Sequence, residues 1–118
     1  MSRVLLIDDD VELCELVVEF LEGEGLDVEV VHNGQTGLER AQTGTPDLVI
    51  LDVNMPGMGG EKCLQELMRL DPLVKVLMAS GYLADASMER CIKAGACGYI
   101  AKPYRLEDLL QHIRTVLD

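Results

Sequence analysis

Residues 47–60, DLVILDVNMPGMGG, contain the segment that decides the fold of this 118-residue chain. The apolar run 48–51 suits a central strand that is covered on both faces, and Asp52 ends it. Residues 56–60 form a loop by composition, and a stretch with apolar residues at helical spacing comes next. A buried strand, a loop and an amphipathic helix in this order predict one unit of an α/β protein.

The same alternation recurs along the whole chain. Further strands are predicted at 4–7, 28–31, 74–79 and 98–101. The intervening segments carry apolar stripes at helical spacing, with helices predicted at about 34–41 and 85–94 and a last stripe from Leu106 to Leu117. Five strands and five helices in strict alternation predict a doubly wound parallel sheet in one domain.

The composition excludes several classes of function. A net charge of −11 repels phosphate backbones, so direct nucleic-acid binding is not expected. We find no long apolar run, so we predict a cytoplasmic domain without membrane contact. The cysteines show no paired spacing, so buried free thiols are expected rather than a zinc site. These are Cys14, Cys63, Cys91 and Cys97.

Polar side chains follow four of the predicted strands at the point where each strand ends. They are Asp8 and Asp9 after the first strand, Asp52 after the third, Ser80 after the fourth and Lys102 after the fifth. Because ligands of α/β sheets bind outside the carboxyl ends of the strands, we expect these side chains to share one site.

The acidic residues of this site predict a divalent cation. Carboxylates that lie close together repel, which raises at least one pKa unless a cation neutralises them. A hard ion with oxygen ligands removes this conflict, and Mg²⁺ suits a site with few protein carboxylates. Asp10 is a weaker candidate, because at the start of a helix it serves as a cap. With the ammonium of Lys102 and the hydroxyl of Ser80, the set suits phosphoryl transfer to a carboxylate.

Four motifs resemble those of bacterial response-regulator receiver domains, in order and at family spacing. They are LLIDDD (5–10), DLVILDVNMPGMGG (47–60), VLMASGY (76–82) and GYIAKPY (98–104). The resemblance covers nearly the whole chain. It implies a flavodoxin-like doubly wound (βα)5 fold with a five-stranded parallel sheet in the order 2-1-3-4-5, as a single receiver domain over residues 1–118.

The resemblance also implies roles for the residues at the strand ends. By position, Asp52 is the phosphoacceptor, and Asp8 and Asp9 are the acidic pair around Mg²⁺, for which Mn²⁺ is able to substitute. The backbone carbonyl of Asn54 is a further metal ligand, together with the Asp52 carboxylate. Lys102 pairs with the phosphoryl oxygens, and its peptide bond to the following proline is usually cis in the family. Such a domain catalyses only its own phosphorylation and dephosphorylation.

A switching mechanism is implied in the same way. Ser80 closes onto the phosphoryl group and pulls its loop inward, and Tyr99 turns from an outward to an inward rotamer. The alternative for Tyr99 is a half-buried strand aromatic without a switching role. Asn54 and Tyr82 are expected to tune dephosphorylation. Tyr82 is bulkier than the residue of many relatives, so we predict that it shields the acyl phosphate from water, with a plain surface position as the alternative.

Two other functions fit the same architecture less well. A phosphatase of the haloacid dehalogenase kind needs a second acid two residues after its nucleophile, where this chain has Asn54. A flavodoxin-like cofactor-binding module needs a phosphate-cradling loop after the first strand, where this chain has three aspartates that repel phosphate.

The resemblance implies a phosphohistidine partner, either a sensor histidine kinase or a histidine phosphotransfer protein. Output is expected through the last two helices and the strand between them. Met1 and Ser2 are interpreted as added residues, and no output domain is expected in this chain. A receiver cut from a hybrid sensor kinase is favoured over a free-standing response regulator. His32 and His112 are predicted to face solvent rather than carry phosphate. Exposed residues on this side are candidates for specificity, with an ordinary solvated face as the alternative: Arg90, Lys93, Arg105, Glu107 and Asp108.

Overall fold

A five-stranded parallel sheet forms the centre of the computed structural model, which describes residues 2–81 and 86–118. The strands are β1 (Arg3–Ile7), β2 (Asp27–Val31), β3 (Leu48–Asp52), β4 (Val76–Ser80) and β5 (Gly98–Ala101). The strand order is β2-β1-β3-β4-β5, and all four neighbouring pairs are parallel. The predicted doubly wound fold and its strand order are therefore confirmed.

Helices cover both faces of the sheet, because successive strand residues point to opposite sides. The helices are α1 (Val11–Gly23), α2 (Gly34–Thr43), α3 (Gly60–Leu70), α4 (Ala86–Lys93) and α5 (Leu106–Leu117). Leu5 and Ile7 of β1 pack into the apolar cluster of α2, α3 and α4, whereas Val4 and Leu6 pack into the cluster of α1 and α5. All five residues of β3 and of β4 are buried, which explains their continuous apolar runs.

Two local features position the starts of α1 and α3 next to the carboxyl ends of the strands. The Asp10 carboxylate accepts a hydrogen bond from the backbone N–H of Leu13 at 3.1 Å, so Asp10 caps α1 as expected. Gly60 starts α3 directly behind the end of β3. A Cβ at this position would lie 2.6 Å from Cα of Val53, so only glycine allows this close approach.

The limits of some elements differ from the predicted ones. β4 begins at Val76 rather than at residue 74, because the N–H of Val74 donates to the carbonyl of Asp71 at 3.0 Å and closes a turn. α2 extends to Thr43, two residues past the predicted end. The predicted start of α4 at Asp85 lies outside the described residues.

Three of the four cysteines and both histidines have the expected surroundings, but the expectation of a buried thiol is wrong for Cys97. Cys14, Cys63 and Cys91 are buried free thiols, whereas Cys97 is exposed. His32 and His112 are both exposed. Of the helices that the structure describes, none combines the length and the apolar character needed to cross a membrane.

Candidate functional site

The carboxyl ends of four strands bring the predicted site residues to one edge of the sheet. Asp8 and Asp9 follow β1, Asp52 ends β3, Ser80 ends β4 and Lys102 follows β5. The register places these ends side by side, since Asp52 pairs with Ala79 and Ser80 with Ala101 across neighbouring strands. Residues far apart in the sequence thus meet in one place.

Three carboxylates form the acidic part of the site. One oxygen from each of Asp8, Asp9 and Asp52 can be chosen so that all three lie within 4.8 Å of one another. Asp8 and Asp52 are only 2% and 4% exposed, whereas Asp9 is exposed. Backbone amides orient the two buried carboxylates, because the Asp10 N–H donates to Asp8 at 2.9 Å and the Asn54 N–H to Asp52 at 3.3 Å.

Lys102 places its ammonium between the two buried carboxylates. Its Nζ lies 2.7 Å from Oδ2 of Asp8 and 3.4 Å from Oδ1 of Asp52. Burial lowers the pKa of Lys102, but the hydrogen bonds and charges of the two aspartates outweigh it, so the pKa is raised overall. The ammonium therefore stays charged at neutral pH. The peptide bond between Lys102 and Pro103 is cis, as the resemblance implies.

The pKa of the Asp52 carboxylate is also shifted from its ordinary value. Burial is the main cause, and the negative charge of Asp8 adds to it, whereas Lys102 and the Asn54 amide act in the opposite direction. The pKa of Asp52 is raised to about 6 as a result. The expected repulsion between neighbouring carboxylates is thus present, although burial contributes more than charge.

The donor set fits a magnesium ion. Three carboxylates lie close together, and the Lys102 ammonium contacts the two buried ones, so the cluster has an excess of negative charge that a divalent cation offsets. All three donors are hard oxygen ligands, and the exposed Asp9 side leaves access for water ligands.

The remaining predicted residues differ in exposure. Ser80 is 1% exposed at the end of β4, and its carbonyl accepts a hydrogen bond from the Lys102 N–H at 2.8 Å. Tyr99 is 44% exposed on β5. Asn54 is exposed beside Asp52. Tyr82 lies outside the described residues.

Sequence reasoning assigned no role at the site to Cys14, His32 or Tyr104. The Cys14 thiol and the His32 ring each lie at hydrogen-bond distance from the Asp8 carbonyl, at 3.5 and 3.0 Å. The Tyr104 hydroxyl is buried, and burial, together with the negative charge of Asp8, raises its pKa. A signal for Tyr104 existed, because it follows Lys102 by two residues in the GYIAKPY motif, but only the fold shows where its ring goes.

Comparison with known proteins decides the family. The sequence model of the protein family described as response regulator receiver domain matches residues 4–114. The chain belongs to the response regulator receiver domain family. The DNA-binding response regulator MtrA of Mycobacterium tuberculosis is 34% identical over 117 residues, which cover 98% of this chain and 50% of MtrA. This receiver domain therefore spans about half the length of the curated relatives it matches.

Solved structures show the same fold for the receiver. A CheY-like receiver domain protein from Methanospirillum hungatei covers all of this chain, and 94% of that chain is matched, with 32% identity and a TM-score of 0.96. The crystal structure of the CheX-CheY-BeF3-Mg²⁺ complex from Borrelia burgdorferi matches 99% of this chain and 90% of that chain, with 27% identity and a TM-score of 0.92. The receiver is thus a module of two-component signalling, and domains of this family generally use Mg²⁺.

Proposed function

We propose that this receiver accepts a phosphoryl group onto Asp52 and thereby changes its signalling surface. One observation carries the proposal: the buried Asp52 carboxylate lies beside the Lys102 ammonium, in one cluster with the carboxylates of Asp8 and Asp9. This arrangement combines a nucleophile, a fixed positive charge and a set of cation ligands. The Borrelia burgdorferi complex contains BeF3 and Mg²⁺, which supports the same chemistry for this fold.

The phosphoryl group would come from a phosphohistidine. An oxygen of the Asp52 carboxylate attacks phosphorus, the bond between phosphorus and the imidazole nitrogen breaks, and its electron pair returns to the histidine ring. The product is an acyl phosphate. With a pKa of about 6, Asp52 is mostly ionised at neutral pH and is available as the nucleophile.

The acidic residues would hold the cation. Asp8, Asp9, Asp52 and the backbone carbonyl of Asn54 are the ligands we propose for Mg²⁺, with Mn²⁺ as a substitute. When bound, Mg²⁺ supplies positive charge that offsets the negative charge of the phosphoryl oxygens.

Lys102 would change its partner during the reaction. Its Nζ lies 2.7 Å from Oδ2 of Asp8 and 3.4 Å from Oδ1 of Asp52, so the ammonium can reach a group that is added to Asp52. We propose that the ammonium then pairs with a phosphoryl oxygen, because a charge-assisted hydrogen bond to that oxygen is strong.

The switching part of the proposal concerns Ser80 and Tyr99. Ser80 is buried at the end of β4, from where its hydroxyl can close onto the phosphoryl group. This movement would draw the loop between β4 and α4 inward, and the exposed Tyr99 would turn inward with it. The face formed by α4, β5 and α5 would change and engage an output partner. Five exposed residues on this side are candidates for specificity: Arg90, Lys93, Arg105, Glu107 and Asp108.

We propose a sensor histidine kinase or a histidine phosphotransfer protein as the phosphodonor. A receiver within a hybrid sensor kinase remains our preferred context. The relatives of twice the length include DNA-binding response regulators, so a transcriptional output is the second context to test. The net charge of −11 still argues against nucleic-acid binding by this chain itself.

The central test is incubation with Mg²⁺ and acetyl phosphate, followed by intact mass measurement. We expect one added phosphoryl group that alkali and hydroxylamine remove, and none in Asp52→Asn. Asp47→Asn is the matched control, because Asp47 is an exposed aspartate just before the same strand and should leave the reaction unchanged. Phosphorylation that persists in Asp52→Asn would move the acceptor to another residue.

A second measurement concerns Tyr82 and Asn54, which we propose as tuning residues for dephosphorylation. Tyr82→Ala should shorten the lifetime of the phosphoryl group, because water would reach the acyl phosphate more easily. An unchanged lifetime would assign Tyr82 a plain surface position.

A further inference from the structure

α1 carries a stripe of negative charge that is unfavourable for the helix itself. Glu15, Glu19 and Glu22 follow one another at intervals of four and three residues, so they lie on one side of α1. Like charges at this spacing destabilise a helix, and Glu22 lies in the last turn, where the helix dipole disfavours a negative charge. All three residues are exposed, and none forms an ion pair with another residue that the structure describes. A charge stripe that destabilises its own helix is typical of a functional surface.

The stripe forms one wall of a groove between α1 and the edge strand β2. The groove has a volume of about 460 Å³ and runs along α1 from Val11 to Glu22. Its apolar floor includes Val18 of α1 and Val30 of β2, which are both half-buried. An apolar floor beside an acidic wall suits arginine and lysine, because their methylene stems cover apolar surface while their charged ends reach the acids.

β2 adds backbone hydrogen-bonding groups to this surface. It lies at the edge of the sheet, and β1 is the strand that pairs with it. The Asp27 N–H donates to the carbonyl of Ser2, which precedes β1, at 2.9 Å. Because the bonding groups of a strand alternate between its two sides, the N–H and carbonyl groups of Val28 and Val30 point away from the sheet. Such an edge is a template for one more strand.

We propose that this groove docks an extended basic segment of a partner protein, which adds to the outer edge of β2 and places arginine or lysine side chains on Glu15, Glu19 and Glu22. About five extended residues span the roughly 16 Å of α1 between Val11 and Glu22. Alternate side chains of such a segment lie on the same face, so those that face α1 all meet the acidic wall. The docking goes beyond the phosphorylation of Asp52 and does not depend on it.

Charge selects this occupant over others. A second copy of the chain would bring the same three glutamates to the edge, and nucleic acid or an anionic membrane would bring phosphate groups, so repulsion disfavours all of them. The net charge of −11 acts in the same direction. The alternative role of the glutamates is to keep other copies of the chain off an open sheet edge.

The probe is an acetylated peptide of alternating threonine and arginine, Thr-Arg-Thr-Arg-Thr-Arg-Thr. Its titration into the full chain, followed by NMR of the backbone amides, measures the affinity, and we expect the largest shifts at Val28 and Val30. The groove variant combines Glu15→Gln, Glu19→Gln and Glu22→Gln. It should bind the peptide about tenfold more weakly, because three exposed charge pairs are lost. Its unfolding temperature should not fall, since the substitutions remove repulsion within α1.

The control variant combines Glu39→Gln, Glu89→Gln and Glu107→Gln. It removes as many exposed charges from other helices and should keep the peptide affinity within about twofold, because exposed charges at a distance are screened. Equal weakening in both variants would show attraction to the net charge alone and overturn the docking groove. A wild type that does not bind the peptide would overturn it as well. Unchanged peptide affinity together with self-association of the groove variant would assign the glutamates to protection of the edge.

Methylated peptides distinguish strand addition from charge attraction. In an extended segment, the arginine amides point to one side and the threonine amides to the other. We would compare a peptide with methylated arginine amides and one with methylated threonine amides. One of them should keep the affinity of the parent peptide within about threefold, and the other should bind at least about tenfold more weakly, because the amides that donate to β2 are blocked. Any other pattern would overturn addition to the edge of β2.

Discussion

The two ends of the sheet both carry mixed charges, but they differ in burial. At the carboxyl end, Lys102 contacts Asp8 at 2.7 Å, and their side chains are 21% and 2% exposed. Towards the amino end, Arg40 contacts Glu29 on the edge strand β2 at 3.3 Å, and their side chains are 57% and 40% exposed. Water solvates the second pair and screens its attraction, whereas the first pair depends on the protein for its partners.

This difference in burial is the reason why we propose a site at the carboxyl end. Charged groups are present at both ends. At the amino end, for example, the Asp47 carboxylate accepts a hydrogen bond from the backbone N–H of Arg3. Burial makes the charges of Asp8 and Asp52 at the carboxyl end expensive, so a ligand that offsets their excess charge gains much more free energy there. Four predictions test this contrast.

The largest effect is expected from Lys102→Met. This change leaves the buried carboxylates of Asp8 and Asp52 without their ammonium, and losing one partner of a buried pair costs about 3–5 kcal/mol. Urea unfolding at pH 7.5 in the presence of a chelator measures the loss. Lys62→Met, which removes an exposed lysine paired with Glu66, should change the free energy of unfolding by less than about 1 kcal/mol. Equal losses in the two variants would remove the distinction between buried and exposed pairs.

The next effect is the pH dependence of stability. The pKa of Asp52 is raised from 3.8 to about 6, so the folded protein holds this proton more tightly than the unfolded chain. The free energy of unfolding should therefore decrease as pH rises from about 4 to about 6, by about 3 kcal/mol from this group.

Asp52→Asn should remove that decrease and stabilise the metal-free protein at neutral pH. Urea titrations at several pH values with chelator present measure both effects. Asp47→Asn at the amino end is the control and should keep the pH dependence of the wild type. A wild-type stability that does not fall over this range would show that the Asp52 carboxylate is ionised without cost.

Addition of Mg²⁺ should have an intermediate effect. A cation that binds only the folded protein stabilises it by about 2.7 kcal/mol at a concentration 100 times the dissociation constant. Thermal unfolding with and without Mg²⁺ measures the shift. We expect the shift to shrink in Asp52→Asn and to persist in Asp47→Asn, because of these two residues only Asp52 belongs to the acidic cluster. A shift that is the same in both variants would place the cation elsewhere.

The smallest effect is expected from Arg40→Gln at the amino end. Its pair with Glu29 is exposed, so the loss should stay below about 1 kcal/mol and shrink further in high salt. Urea unfolding at low and high salt measures it. A loss as large as that of Lys102→Met would mean that exposed charges also contribute strongly in this protein.

The sequence alone carried the outline of the site. The residues of each strand and the polar residue at its end are neighbours in the chain. Their positions could therefore be predicted from local pattern. Asp8, Asp9, Asp52, Ser80 and Lys102 were all marked in this way. The parallel sheet then brought them to one edge, as the resemblance to receiver domains implied.

Local pattern could not determine what depends on distances between remote residues. The start of β4 moved because a turn at Asp71 uses the N–H of Val74. The pKa of Asp52, the choice of Asp8 as the nearer partner of Lys102, and the unpaired hydroxyl of Tyr104 arise from burial and charge in three dimensions. Hydrophobic periodicity is a property of neighbouring residues, whereas the electrostatic free energy of a buried group depends on every charge that folding brings near it. The chain itself therefore determined which side chains reach the edge of the sheet, and the tertiary structure alone decided which of them hold one another there.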